Sequence, residues 1–106
     1  MKIYKNLVQA VISALQKTFS DNVKADRVVE QALIFNKKWG SRDRKFVAHY
    51  IYEVVRWYRL YYEVGLNGQE PKKEEDWWRI MATAFVLEAM ELPEWPEFEN
   101  IDKDLI

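Results

Sequence analysis

A dense run of cations between residues 37 and 60 contains the side chains best suited to binding a ligand. It has seven basic and two acidic residues, a net charge of +5. At about 100° per residue on a helical wheel, one face carries Lys45, His49, Tyr52, Arg56 and Arg59. Clustered cations bind a phosphate backbone and release its counterions, so this spacing predicts a nucleic-acid ligand. The face can be extended upstream by Lys37, Lys38 and Arg42.

Stability alone does not favour this arrangement of cations. Like charges three or four residues apart on a helix repel each other. Cations in the first turn of a helix, here Arg42, Arg44 and Lys45, also oppose the helix dipole. Binding to phosphates would offset both effects, and the ring of Tyr52 can stack on an unpaired base.

An ordinary solvated surface is the alternative interpretation of this face. Glu53 can pair with Arg56, and Arg59 can pair with Glu63, as in many exposed ion pairs. His49 is the only histidine and can either tune phosphate binding near neutral pH or be a plain surface residue. Both interpretations stay open at this point.

Residue sets typical of catalysis and cofactor binding are missing. The chain has no Cys and one His, so neither a catalytic triad nor a Cys/His pair can be assembled. No Gly-rich phosphate loop follows a strand. We therefore expect no catalytic residue, no metal and no cofactor in this chain. The lack of Cys is compatible with the cytoplasm, the expected location, and no apolar run of about 18 residues predicts a membrane span.

The elements that must position these side chains are helices. Apolar residues recur at helical spacing, while Gly and Pro number only three each. We expect helices over residues 2–19, 25–36, 42–64 and 74–90, which gives an all-α fold of four or more helices. The cationic face is continuous only if residues 42–64 form a single helix, and a break there would remove the argument for nucleic acid that depends on it.

Turns and aromatic pairs complete the expected layout. Gly40 is expected in the left-handed conformation after a helix, and Ser41 is expected to cap the next one. The segment 66–71 is typical of a loop. Trp77 and Trp78 can form a stacking platform, or one can be buried and the other half-buried, because adjacent helical residues point about 100° apart.

Prolines and acids dominate the C-terminal end. Because proline ends a helix, we expect a helical domain over residues 1–92 and an acidic tail, or the start of a linker, over 93–106. Trp95 and Phe98 in this tail can dock on a partner domain or pack back on the bundle.

Three motifs between Ala25 and Val64 resemble a known family. They are the segments 25–33, 39–46 and 51–57, and the second contains the sequence Asp-Arg-Lys-Phe. Their order and spacing are similar to the NusB-like N-terminal domain of the Sun/RsmB branch of the NOL/NOP/Sun RNA cytosine-5 methyltransferases. In that family a D-R-x-F helix start leads into a helix that ends near an arginine.

The resemblance implies a NusB-like helical bundle that helps to hold structured RNA, ribosomal RNA first, beside a C-terminal methyltransferase domain. That domain uses S-adenosylmethionine and a cysteine nucleophile. This chain has neither the cofactor loop nor a cysteine, so it is expected to be a fragment or a stand-alone relative. The oligomeric state stays open.

The sequence-based hypothesis is therefore an RNA-binding accessory domain without catalytic activity. Asp43 and Arg44 match the family motif but can instead lock helix ends. The alternative is a non-catalytic protein-interaction module of the NusB type, in which the exposed aromatic residues and the acidic tail would matter more. The residues expected to bind phosphates are Lys37, Lys38, Arg42, Lys45, Arg56 and Arg59, and Tyr52 is expected to stack on a base.

Overall fold

A computed structural model of the chain describes residues 2–99 and 101. In this part of the chain there are five α-helices, one short 3-10 helix and no strand. The prediction of an all-α fold with at least four helices is therefore confirmed. Each of the described helices is too short or too polar to cross a membrane. The helices are α1 (Lys5–Ser20), α2 (Ala25–Phe35), α3 (Ser41–Arg56), α4 (Tyr58–Gly65), α5 (Glu74–Leu87) and the 3-10 helix Pro96–Phe98.

The chain groups into two compact units that divide between Arg56 and Trp57. The first unit contains α1, α2 and α3, and the second contains α4, α5 and the 3-10 helix. Charge divides at the same place: residues 1–56 have eleven basic and five acidic residues, net +6, whereas residues 57–106 have five and twelve, net −7. The sequence also predicted a helical domain over residues 1–92 and a tail over residues 93–106, and this division stays a prediction.

The core of the first unit forms where its three helices pack on one another. Val8, Val11 and Leu15 recur at helical spacing along α1 and are fully buried. Val28 on α2 and Ile51 on α3 are at most 2% exposed. The apolar periodicity of the sequence thus identifies the buried face of each helix.

Aromatic packing dominates the second unit. Trp77 and Trp78 are 3% and 5% exposed, so the expectation that one of them would be half-buried is wrong. The two rings have different neighbours: Tyr58 of α4 stacks on Trp77 with ring centroids 6.1 Å apart, and Phe98 meets Trp78 edge-on at 5.7 Å. Neighbours on two sides of α5 explain how adjacent side chains are both buried.

Part of the predicted tail packs against α5. The ring of Trp95 lies edge-on to Trp78 at 6.3 Å, and Phe98 is 5% exposed. Of the two alternatives for these aromatic residues, the structure has the one in which they pack back on the helices. Asn100 and residues 102–106 of the predicted tail lie outside the described residues.

The predicted single helix over residues 42–64 is wrong. α3 ends at Arg56, and α4 begins at Tyr58. Between them Trp57 has φ −108° and ψ 24°, outside the helical range. No Gly or Pro marks this position. The valines and aromatic residues on either side of the break are weak helix formers, so local propensity does little to keep the helix continuous.

A close approach joins α4 to α5 in the second unit. A Cβ atom added to Gly65 would overlap the hydroxyl oxygen of Thr83. Arg79 Nε donates to the carbonyl oxygen of Gly65 at 3.1 Å, and Thr83 Oγ1 donates to the carbonyl oxygen of Arg79 at 2.8 Å. The end of α4 therefore requires a residue without a side chain.

The turns differ from the expectation at two adjacent positions. Gly40 is not left-handed, and its carbonyl oxygen accepts a hydrogen bond at 3.1 Å from a backbone N–H in the first turn of α3. Ser41 is the first helical residue, not the cap that was expected. The predicted loop over residues 66–71 is confirmed, and Asn67 and Gly68 have the positive φ values of 53° and 83° that reverse the chain.

Candidate nucleic-acid interface

Four cations lie where α2 passes into α3, and we call them the junction cluster. Lys37 and Lys38 lie in the turn after α2, and Arg42 and Lys45 lie in the first turns of α3. All four side chains are exposed. Among the described residues, none of the four forms an ion pair with a carboxylate. The junction cluster is therefore accessible to an anionic ligand.

Hydrogen bonds hold the backbone beneath the junction cluster. The side-chain amide of Asn36 donates to the carbonyl oxygen of Ala32 at 2.9 Å, and Trp39 N–H donates to the carbonyl oxygen of Asn36 at 3.2 Å. Arg44 Nη1 donates to the carbonyl oxygen of Leu33 at 3.3 Å, which ties the start of α3 to the end of α2. Arg44 thus satisfies a C-terminal carbonyl of α2, the helix-locking role that was one of its two expected roles.

Helix dipoles account for only part of the cluster. Lys37 and Lys38 follow the C-terminus of α2, where positive charge is favourable. Arg42 and Lys45 lie near the N-terminus of α3, where positive charge is unfavourable. Asp43 is the acid that suits this first turn, and it is half-buried. Structural stability therefore explains the two lysines of the turn but not Arg42 and Lys45.

The cations and aromatic residues predicted along α3 remain on a single exposed row. Lys45, His49, Tyr52 and Arg56 are all exposed. Tyr52 Oη donates to Asp26 Oδ1 at 2.6 Å. This hydrogen bond, together with burial and the negative charge of the carboxylate, raises the pKa of Tyr52. Because the carboxylate lies beside the ring, the middle of this row is less suited to phosphate than the junction cluster is.

Arg59 lies on a different helix from the row on α3. It lies on α4, in the second unit, and its Nε is 3.7 Å from Oε1 of Glu63. The two side chains are 83% and 50% exposed, so the solvated ion-pair alternative is confirmed for this pair. Because the single helix that was to carry this face is broken, the argument for nucleic acid that depended on it is lost. Any case for RNA must stand on the junction cluster instead.

Phe35 is a residue whose exposure helical spacing does not predict. It follows Val28 by seven residues, a spacing that puts both on the apolar face of a helix. Burial instead falls along α2, from 2% exposed at Val28 to 57% at Ile34 and 88% at Phe35. Leaving a phenylalanine in water forgoes about 1.5–3 kcal/mol of burial. The lysines at positions 37 and 38 are the one sequence signal that could have drawn attention to this ring.

Comparisons with protein-family models, with curated proteins and with solved structures gave no match. The resemblance of the segment between Ala25 and Val64 to the Sun/RsmB branch therefore stays a prediction.

Proposed function

We propose that this chain binds RNA through the junction cluster and acts as a non-catalytic accessory domain of an RNA cytosine-5 methyltransferase. The observation that supports RNA binding is the set of four exposed cations at the hydrogen-bonded junction of α2 and α3, none of which pairs with a carboxylate in the described part of the chain. The link to a methyltransferase depends only on the resemblance between Ala25 and Val64. In this proposal S-adenosylmethionine and the catalytic cysteine belong to a separate domain, and both act in the cytoplasm.

Binding by the junction cluster would be mainly electrostatic. Each cation that contacts a phosphate releases a counterion, so the logarithm of the affinity falls by about 0.7 per contact for each unit of log salt on a single strand. Four contacts give a slope of about −3. Tyr52, Arg56 and Arg59 stay predicted contacts, but the proposal does not require them.

A charge-neutralising double variant tests this proposal directly. We expect Lys38→Gln with Lys45→Gln to weaken binding of the full chain to a ribosomal RNA fragment that contains an unpaired loop. The slope of log affinity against log salt should become less negative by about 1.4, because two phosphate contacts are lost. Fluorescence anisotropy of labelled RNA at several salt concentrations measures both quantities.

The matched control removes two exposed lysines from the second unit. Lys72→Gln with Lys73→Gln changes the net charge equally, and we expect it to leave affinity and salt slope unchanged. Equal weakening by both double variants would show that only net charge matters, and the junction cluster would then not be the site.

A protein-interaction module is the second candidate, and it is favoured by the second unit. Leu60 and Leu87 there are 46% and 47% exposed, and exposed apolar residues can mark a protein contact. Size-exclusion chromatography with and without RNA separates the two candidates. An oligomer that resists salt, with no shift on adding RNA, would favour the interaction module and contradict RNA binding.

A further inference from the structure

Phe35 is the most exposed of the large apolar side chains among the described residues, at 88%. It is the last residue of α2. The next residue, Asn36, caps the helix, with its backbone N–H and side-chain amide both donating to the carbonyl oxygen of Ala32 at 3.2 Å and 2.9 Å. The ring therefore projects from a fixed helix end.

Cations lie close to Phe35 along the chain and at the junction of α2 and α3. Lys37 and Lys38 follow Phe35 in the chain, and the Arg44 bond to Leu33 holds the first turn of α3, with Arg42, at the same helix end. An exposed apolar ring at a helix end that cations share complements a ligand that offers both negative charge and flat apolar faces. An RNA strand offers phosphates and base faces together, but the base faces are accessible only where the bases are unpaired.

We infer that Phe35 stacks on an unpaired base of an RNA whose phosphates contact the junction cluster. The ligand is then single-stranded or looped RNA, not continuous duplex, because a duplex hides its base faces and is bound through its shape and backbone. This inference rests on the proposed RNA binding and adds the class of RNA that is recognised.

An anionic lipid surface is the competing ligand for an apolar and basic patch. Ile34, which precedes Phe35, is 57% exposed and allows the two to be distinguished. A lipid surface would take up both apolar side chains, whereas stacking on a base requires only the planar ring. Ile34→Ala is therefore the matched control for Phe35→Ala.

The experiment measures binding of the full chain to one RNA oligomer in single-stranded form and as a duplex with its complement. The variants are Phe35→Ala, Phe35→Leu, Phe35→Tyr and Ile34→Ala. We expect Phe35→Ala and Phe35→Leu to lower affinity for the single strand by about five- to a hundredfold, the range for loss of one base–aromatic stack. Phe35→Tyr and Ile34→Ala should bind the single strand like the unchanged protein, and the salt slope should be the same in every variant.

Three results would overturn the inference while leaving RNA binding intact: the duplex binds as tightly as the single strand, Phe35→Leu binds normally, or Ile34→Ala weakens binding as much as Phe35→Ala. A different pair of results would refute the proposed function itself. In that case the chain would bind phosphatidylserine vesicles, both alanine variants would weaken this binding, and no salt-dependent RNA binding would be found. Circular dichroism confirms that each variant is folded, which we expect because both positions are exposed.

Discussion

The two units of this chain use aromatic residues in opposite ways. In the first unit Phe35 is left in water beside a cluster of cations. In the second unit Trp77 is buried against Tyr58 and Trp78 is buried against Phe98, on a chain segment rich in acids. The contrast shows that an aromatic-rich composition does not itself indicate binding. The charge and exposure around each ring decide between a binding role and a core role.

The charge of each unit strengthens this contrast. Net charges of +6 over residues 1–56 and −7 over 57–106 make the first unit the one that attracts a polyanion and the second the one that repels it. Because the overall charge is −1, averaging over the whole chain conceals the asymmetry.

The largest expected effect is on the packed aromatic residues of the second unit. Trp78→Ala should lower the free energy of unfolding by about 3–5 kcal/mol, because it leaves a cavity between α5 and the 3-10 helix. Phe35→Ala should change it by no more than about 0.5 kcal/mol, as is usual for an exposed side chain. Urea unfolding followed by circular dichroism measures both, and similar losses in the two variants would contradict the contrast between the units.

A smaller loss is expected at the close approach of α4 and α5. Gly65→Ala should cost about 1–3 kcal/mol in the free energy of unfolding, because the new methyl group overlaps Thr83. Adding Thr83→Ala should recover part of this loss, since it removes the overlapping hydroxyl. Gly40→Ala is the control, because its methyl group would meet no atom within 4 Å. A loss at Gly40 equal to that at Gly65 would contradict this explanation.

The hydrogen bond that joins α2 to α3 should have a more modest effect. Arg44→Gln removes the bond to the carbonyl oxygen of Leu33 and should cost about 1 kcal/mol in the free energy of unfolding. Arg42→Gln makes the same change at an exposed position and should alter stability by less than about 0.5 kcal/mol. If the two thermal unfolding curves coincided, Arg44 would not have the locking role.

An effect confined to alkaline pH is expected in the second unit. Burial raises the pKa of Tyr58 to about 12 from its ordinary value of 10.0, and the negative charge of Glu70, to which its hydroxyl donates at 3.3 Å, adds to the shift. Between these two values the unfolded chain releases the proton before the folded chain does, so stability should fall as the pH rises. Tyr58→Phe should remove the part of this fall in stability that comes from Tyr58. If the free energy of unfolding fell equally with alkaline pH in the variant and the unchanged protein, the raised pKa of Tyr58 would be contradicted.

The all-α fold could be predicted because its signal is repeated many times along the chain. Val8, Val11 and Leu15 mark the buried face of α1, and the expected ends of α1, α2 and α5 lie within about three residues of the observed ones. The break at Trp57 could not be predicted, because neither Gly nor Pro marks it. A helical wheel assumes a continuous helix, so it assigned Arg59 to the same helix as Arg56, whereas the structure has the two residues on separate helices.

The candidate site was only partly predictable for a related reason. Lys37, Lys38, Arg42 and Lys45 could be named from charge alone, and their exposure agrees with that expectation. Phe35 could not, because helical periodicity reports which face a residue lies on and not how far the neighbouring helices reach along it. The Tyr52–Asp26 hydrogen bond joins residues 26 positions apart, so no local pattern could reveal it.

The most direct test of the RNA-binding claim is NMR mapping of the full chain labelled with nitrogen-15 during titration with a single-stranded RNA oligomer. The account predicts that the largest amide shifts fall between Ile34 and Phe46, around the junction cluster, and that amides of α5 between Glu74 and Leu87 stay in place. Shifts confined to the second unit, or no shifts at low salt, would contradict it.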